Sequence, residues 1–297
     1  MARILGLDLG SHSVKALLLD TGRGVTVLGW AEVRRPEGAG EASLPASLAR
    51  LRAEHPWQWE QVVVAVPGSS VATHPVTLPF QDARRIDAAL PFEVEGELPV
   101  ELDEVVFDYQ PAGPADLGTN LLVGVVRKDE LRQLLAELTA AGFDPRRVTH
   151  PALAYRALFA GRAKTLAVEP EELVALVDVG HRRTTMAVGH PGEGLVYARV
   201  VPGGGAELTL ALSREFGVSL AEAETWKERD ATLAPGGGEE HERARAAIRR
   251  ALGPVLREVR ATLKAASTRD HRPVGRLLLA GGTAQLPGLP EAWAAEL

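Results

Sequence analysis

The sequence predicts an α/β protein built from a duplicated lobe, and two observations carry that prediction. An apolar strand, a tight turn of glycine and hydroxyl residues and a second apolar strand occur around Asp8 and occur again around Asp178. Each copy continues into a third strand, helix and further strand, so the order meander, helix, strand is read twice along 297 residues. Self-similarity of this kind marks repeated architecture. A chain of this length has room for two lobes, each with its own core.

Taken in order, β-branched and leucine residues between glycine-containing turns predict strands at Ile4–Asp8, Val14–Asp20 and Val25–Val33. A Pro/Gly/Ala-rich loop at 36–45 leads to a short helix and a strand at Gln61–Val66. Residues 81–149 read as an insert. In it Ile86, Leu90, Val94 and Leu98 recur at helical spacing, with Pro91 expected to kink the helix or start its last turns. Strands at Val105–Gln110 and Asn120–Val126 follow, then a helix from Lys128 to Ala141 that places Leu131, Leu134, Leu135 and Leu138 on one face and stops at Gly142. A helix over 151–160, stopped by Gly161, closes the first half. The second half restarts with strands at 173–178, 184–189 and 194–201, then helices at 205–216 and 219–229 and a Gly-rich linker at Pro235–Gly238. A long charged helix from Glu239 to Ser267 comes next, which Pro254 should bend or split. The strand Val274–Ala280 precedes the turn Gly281-Gly282-Thr283, and Pro290–Leu297 reads as the start of a helix, as if a natural continuation lay beyond Leu297.

Composition narrows the function. With 45% hydrophobic and 24% charged residues, domain-scale disorder is not expected. A net charge of −6 provides no basic footprint for nucleic acid. The absence of cysteine removes disulfides, thiolate metal sites and cysteine nucleophiles. No apolar run approaches the roughly 18 residues of a membrane span, and no secretory h-region follows Met1.

The turns carry the chemistry. In Asp8-Leu-Gly-Ser-His-Ser-Val-Lys15, Gly10 lets the backbone approach a phosphate, Ser11 and Ser13 add donors and Lys15 adds charge, while the Asp8 carboxylate suits the waters of a bound Mg²⁺. Alone, this is equally an ordinary hairpin. Its repetition as Asp178-Val-Gly180 with Thr184 and Thr185 shifts the reading toward a nucleotide held by two copies, with Asp178 as the second carboxylate near Mg²⁺. Gly203, Gly204 and Gly205, with Glu207 and Thr209, sit at a strand-to-helix junction, where helix N-termini favour anions. Glu224 and Lys227 lie three apart on a helix, and by themselves read as a solvated pair. Gly281, Gly282 and Thr283 close an apolar strand in a way that suits a flat adenine or ribose, or any strand-to-helix turn. The basic residues between Arg243 and Lys264 alternate with acids and alanine, as on a solvated helix face, and the histidines show no metal spacing.

With these motifs the chain resembles the actin-like ATPase superfamily, of the ribonuclease H-like fold. Within it the chain is most similar to the PilM and GspL group of type IV pilus and type II secretion assembly proteins, relatives of the division protein FtsA. Asp8–Lys15 resembles the first phosphate motif and Asp178–Thr185 the second. Val64-Ala-Val-Pro-Gly68 with Leu78-Pro-Phe80 is similar to the lead-in to the group's inserted subdomain, and Phe92–Pro99 with Asp103–Tyr109 looks like the insert signature. Gly203–Leu210 and Glu222–Lys227 resemble the segments near the nucleotide, and Gly281–Thr283 with Leu286-Pro-Gly288 resembles the adenosine motif.

The resemblance implies a duplicated two-lobe fold: a first lobe of 1–80 plus 150–172, an FtsA/PilM-type insert at 81–149 that serves as a partner surface, and a second lobe of 173–297 whose helical part is 206–272. It implies a scaffold at the cytoplasmic face of the inner membrane in a type II secretion system, docking the hexameric motor ATPase and platform proteins. The alternative is a PilM-type pilus assembly protein that binds ATP. It further implies ATP with Mg²⁺ as the ligand, which degenerate members of the group have lost, and a homodimer as one assembly state. His181, Arg182 and Arg183 depart from the small residues usual beside the phosphates, and no residue stands out as a hydrolytic base. That lack disfavours a small-molecule kinase of the same fold. The absence of cysteine excludes the iron–sulfur dehydratase activators, and an FtsA-like division role is the weaker alternative.

Overall fold

A computed structural model describes residues 2–36, 43–112, 118–166, 168–169 and 171–297. The expected loop at 36–45 falls largely outside them. The chain divides into two compact units, Met1–Gly161 with Glu193–Leu195, and Arg162–Gly192 with Val196–Leu297.

The first unit is centred on a five-stranded sheet of order β3-β2-β1-β4-β8: β1 is Arg3–Leu9, β2 Ser13–Asp20, β3 Thr26–Arg34, β4 Gln61–Ala65 and β8 Pro145–Thr149. The meander is antiparallel, and β4 and β8 extend it in parallel. Strand alternation sends Leu5, Leu7, Leu9, Val14, Ala16 and Leu18 to one face, where they share a core with α1 (Ser43–Glu54) and with Leu138 and Phe143. The ring of Trp59 stacks on Phe143 at 5.4 Å, and the Arg52 guanidinium lies 4.3 Å above it. Gly29 makes room for Trp57, whose ring a Cβ there would meet at 2.9 Å.

The insert has its own three-stranded sheet, β5-β7-β6, of Val71–Leu78, Thr119–Arg127 and Val105–Pro111. Helix α2 (Ala83–Glu97) covers it through Ile86, Leu90 and Val94. These pairings correct the boundaries expected from sequence. Strand β5 pairs with β7 from Val71↔Val126 to Leu78↔Thr119, so the insert begins before residue 81. Helix α3 (Lys128–Ala140) sends Leu138 into the core of the five-stranded sheet, and β8 pairs with β4, so 128–149 belongs to the lobe.

The second unit repeats the meander. Its four-stranded sheet is β11-β10-β9-β12, with β9 at Leu173–Val179, β10 at Arg183–His190, β11 at Gly194–Pro202 and β12 at Val274–Ala280. Strand β12 lies parallel to β9, as β4 lies to β1. Helices α5 (Gly205–Phe216), α6 (Leu220–Asp230), α7 (Gly238–Asp270) and α8 (Leu289–Ala294) pack with these strands in one core that includes Val177, Met186, Leu208, Ile248, Val259 and Trp293. The helical part at 206–272 therefore shares its core with the sheet.

Neither proline splits its helix, and Gly161 does not end the helix it was expected to stop. Helices α2 and α7 run through Pro91 and Pro254, and α4 (Pro151–Leu166) continues past Gly161. The carbonyls that lose their donors to the prolines belong to Asp87 and Arg250, both exposed residues. A glycine inside a helix costs only about 1 kcal/mol, which packing elsewhere offsets.

The linker before α7 is pinned. Arg245, expected on a solvated face, is buried and donates from Nη1 to the carbonyls of Ala234 and Gly236, both at 2.7 Å, while its other nitrogens engage Glu242. Arg245→Ala is expected to cost about 3 kcal/mol, because it strips charge-assisted bonds from two linker carbonyls. Denaturant unfolding checks this, and a change within ~0.5 kcal/mol, the usual surface range, would sink the role.

His150 starts α4 by accepting the Ala152 N–H at Nδ1, 3.2 Å away. Burial pushes its imidazole down to about 4, against a smaller opposing contribution from the Gly68 backbone. Because the folded value lies below the ordinary 6.5, the stabilisation is complete above about pH 6.5 and is lost as pH falls toward 4. The full loss is about 3 kcal/mol. Unfolding free energy measured between these pH values should fall less steeply in His150→Asn, which keeps the cap without the titration. Parallel slopes would refute the assignment.

Candidate nucleotide site

In the first unit, the β1–β2 turn is shaped by contacts that no local motif announces. A Cβ on Gly10 would meet the Ser13 carbonyl at 2.7 Å, so the turn admits only glycine there. Arg35 reaches the Gly10 carbonyl through Nη1 at 3.3 Å and the Ser43 hydroxyl through Nε at 2.6 Å, strapping the tip. Ser13 is buried and donates its hydroxyl to Glu32 on β3 at 2.6 Å. Ser11 is exposed at the tip. Asp8 and Lys15 are direct cross-strand neighbours, with Nζ 3.9 Å from Oδ2 and both side chains about half exposed. They open onto a groove of about 450 Å³ along the outer face of the sheet, also lined by Gly6, Leu17, Trp30 and Glu32.

The second unit brings four distant segments together. Gly180 N–H closes its own turn on the Arg183 carbonyl at 3.0 Å. The carbonyls of Gly180 and His181 then accept the N–H groups of Gly205 and Ala206 at 2.9 and 2.7 Å, so the hairpin tip is seated on the N-terminus of α5. Thr184 is fully buried and donates to the Gly203 carbonyl at 3.0 Å, and Gly203 N–H donates to the Arg182 carbonyl at 2.9 Å. Thr185, also buried, stands opposite Asp178 across the ladder. On the other side, Thr283 donates to the Gly180 carbonyl at 2.9 Å.

Close approach explains the glycines. A Cβ on Gly204 would lie 2.2 Å from the Gly180 carbonyl oxygen. Gly281, at φ +90°, would put a Cβ 2.3 Å from the Asp178 carboxylate, so conformation and space both require glycine. Gly282 is different, since a side chain there would meet nothing within 4 Å.

Glu224 and Lys227 depart from the solvated-pair reading. Their side chains are only 14% and 13% exposed, and Nζ lies 2.7 Å from Oε2. Lys227 also donates to Thr209 Oγ1 at 2.9 Å and to the Gly205 carbonyl at 3.1 Å, while the Thr209 hydroxyl donates to Glu224. Burial raises the Glu224 pKa, but bonds from Lys227 and Thr209 and the nearby charges of Lys227 and His181 outweigh it, holding the carboxyl below its ordinary range. Lys227 Nζ, Thr283 Oγ1 and His181 Nδ1 all converge on the bare α-carbon of Gly205.

One expectation is corrected. The sequence reads the start of α5 as a site that favours anions. Instead the Gly204 N–H donates to Glu207 at 2.8 Å and the next two N–H groups serve the hairpin carbonyls, so the helix terminus is satisfied from within. Glu32, Arg35 and the capping role of Glu207 were missed because each depends on strand order or on a turn known only after folding.

Comparison with solved structures places the architecture. The chain is 24% identical to a protein solved as a PilM–PilN type IV pilus biogenesis complex, with a TM-score of 0.81 and coverage of 98% of this chain and 85% of that one. It also resembles MreB5 of Spiroplasma citri bound to AMPPNP, at 13% identity, TM-score 0.59 and coverage of 100% and 90%. The ethanolamine utilization protein EutJ of Carboxydothermus hydrogenoformans matches at 17% identity, TM-score 0.55 and coverage of 99% and 81%. These likenesses establish the actin-like ATPase fold. The profile of the type IV pilus assembly protein PilM matches residues 6–297, and the chain therefore belongs to the PilM family.

Proposed function

We propose that the protein is a nucleotide-binding scaffold at the cytoplasmic face of the inner-membrane platform of a type IV pilus system. The family match over 6–297 carries this reading and favours the pilus over the secretion alternative. By analogy with the pilus relative solved with PilN, the partner would be a PilN-type platform protein, and the hexameric motor ATPase a second one. The insert, now bounded as 71–127, is the proposed docking surface. No helix among the described residues is long and apolar enough to cross a membrane.

The ligand proposed is ATP with Mg²⁺, as MreB5 of Spiroplasma citri binds AMPPNP. The residues fit such a group: the carboxylates of Asp8 and Asp178 are hard oxygen donors of the kind Mg²⁺ takes, and Lys15, 3.9 Å from Asp8, is a cation for phosphate. Asp8, Gly10, Ser11 and Lys15 would serve phosphate and Mg²⁺ from the first hairpin, with the buried Ser13 acting through Glu32. Asp178 and Gly180 would serve from the second, with Thr184 and Thr185 fixing the turn behind them. Glu224, Lys227, Gly281, Gly282 and Thr283 would hold the nucleoside, and Gly203 and Gly204 would keep hairpin and helix in contact. Bound nucleotide would act as an allosteric ligand, shifting whichever conformer it prefers.

Titration with a fluorescent ATP analogue is expected to give micromolar, Mg²⁺-dependent binding that Asp8→Ala weakens at least about tenfold, as expected for a charge acting through a bound cation. No binding to a cleanly melting sample would end the nucleotide proposal. Separately, purified PilN-type protein and pilus motor ATPase should be captured by the protein and lost when 71–127 is replaced by a short linker, with both remaining cores still melting cooperatively. Undiminished capture by that variant would remove the insert from the docking role.

A further inference from the structure

Helix α7 carries its charge in two blocks. The acids Glu239, Glu240 and Glu242 lie at its start, whereas the stretch from Arg249 to Lys264 holds five cations, Arg249, Arg250, Arg257, Arg260 and Lys264, and the single acid Glu258. That acid is already engaged, 3.0 Å from Arg199 on β11. A helix dipole favours acids first and bases last, but its influence falls off within the first and last turn, and Arg249 to Arg260 lie further in. All five cations are exposed.

Their spacing forms a line. Arg243, Arg250, Arg257 and Lys264 recur every seven residues, which drifts only about 20° per step around a helix and sets the charges about 10 Å apart. This row points away from the buried Ile248, Val255 and Ala266, with Arg249 and Arg260 flanking it. The residues exposed or half-exposed between the charges are small: Ala246, Gly253, Pro254 and Ala261. Arg243 and Arg250 share Glu215, at 3.0 and 3.2 Å, and Arg260 donates to the Glu296 carbonyl. The side chains of Arg257 and Lys264 make no ion pair or hydrogen bond among the described residues.

We infer that this face of α7 docks on an anionic phospholipid bilayer, with its row of cations set against the headgroup phosphates. A protein partner fits less well. Stable protein interfaces centre on aromatic or large apolar anchors and are depleted of lysine, and the face offers only alanine, glycine and proline between its charges. A headgroup layer needs no anchor; it needs cations in line and nothing bulky to hold them off. Each Lys or Arg brought near an anionic leaflet raises partitioning about fivefold, within a screening length that salt shortens. The contact goes beyond the partner docking proposed above and needs neither the insert nor a nucleotide, so either reading can fail alone.

The 297-residue protein should co-sediment at low salt with vesicles of phosphatidylglycerol and phosphatidylethanolamine, should be released at about 0.5 M salt, where screening acts within a few Å, and should ignore phosphatidylcholine vesicles. R257E/K264E should bind anionic vesicles at least about 25-fold more weakly, two fivefold steps, and the milder R257Q/K264Q should fall between it and the wild type. R257K/K264R, which keeps both charges, should bind as the wild type does. R23E/R132E changes the net charge equally at exposed sites in the first unit and should stay within about twofold, because distant charges are screened. No binding to anionic vesicles, equal binding to phosphatidylcholine, indifference to both Arg257/Lys264 charge-removing variants, or retention on duplex DNA in place of vesicles overturns the inference.

Discussion

The second unit depends on one backbone junction, in which the carbonyls of Gly180 and His181 accept the first N–H groups of α5. A helix N-terminus presents donors without intrahelical partners and the positive end of the dipole. Here both are spent on the protein's own hairpin and on Glu207. The constraint selects the sequence around it. Gly204 is required because any side chain would strike the Gly180 carbonyl, and Thr184 and Thr283 secure the junction on either side. The helix terminus is therefore occupied by the protein's own groups.

Burial alone would raise the Glu224 pKa, yet its bonds with Lys227 and Thr209 and the influence of Lys227 and His181 outweigh that effect and lower it. A half-buried ion pair of this kind contributes modestly to stability and is costly to break from one side, because the remaining charge is left without its partner. Its third contact gives the pair a positional role: Lys227 also binds the Gly205 carbonyl, so α6 is tied to the first turn of α5 at the junction itself.

The two-lobe fold was legible in the sequence because the duplicated meander has strong periodicity and clear turns, and β12 falls where its apolar run predicts. Strands β5 and β8 were not legible. Val71–Leu78 contains His74 and Pro75, and Pro145–Thr149 is short and carries two arginines, so neither has the alternation that marks a strand. Both are strands because a neighbour supplies a ladder, a tertiary effect that no local window contains. The candidate site reads in sequence as a set of glycines and acids, and within the second unit the segments that carry them converge. Their division of labour was not legible, because Thr184 and Gly204 resemble ligand contacts in sequence while their bonds run to the Gly203 carbonyl and to the Glu207 carboxylate.

The two hairpins, alike in sequence, are held in different ways. Around the second, cross-segment bonds tie the tip to α5 and to the turn after β12, and Thr184 is fully buried. At the first, the conspicuous pair is Asp8 and Lys15, 3.9 Å apart and half exposed, an interaction worth less than about 1 kcal/mol. The second tip cannot move without breaking the α5 junction, whereas the Asp8–Lys15 contact adds little to the hold on the first.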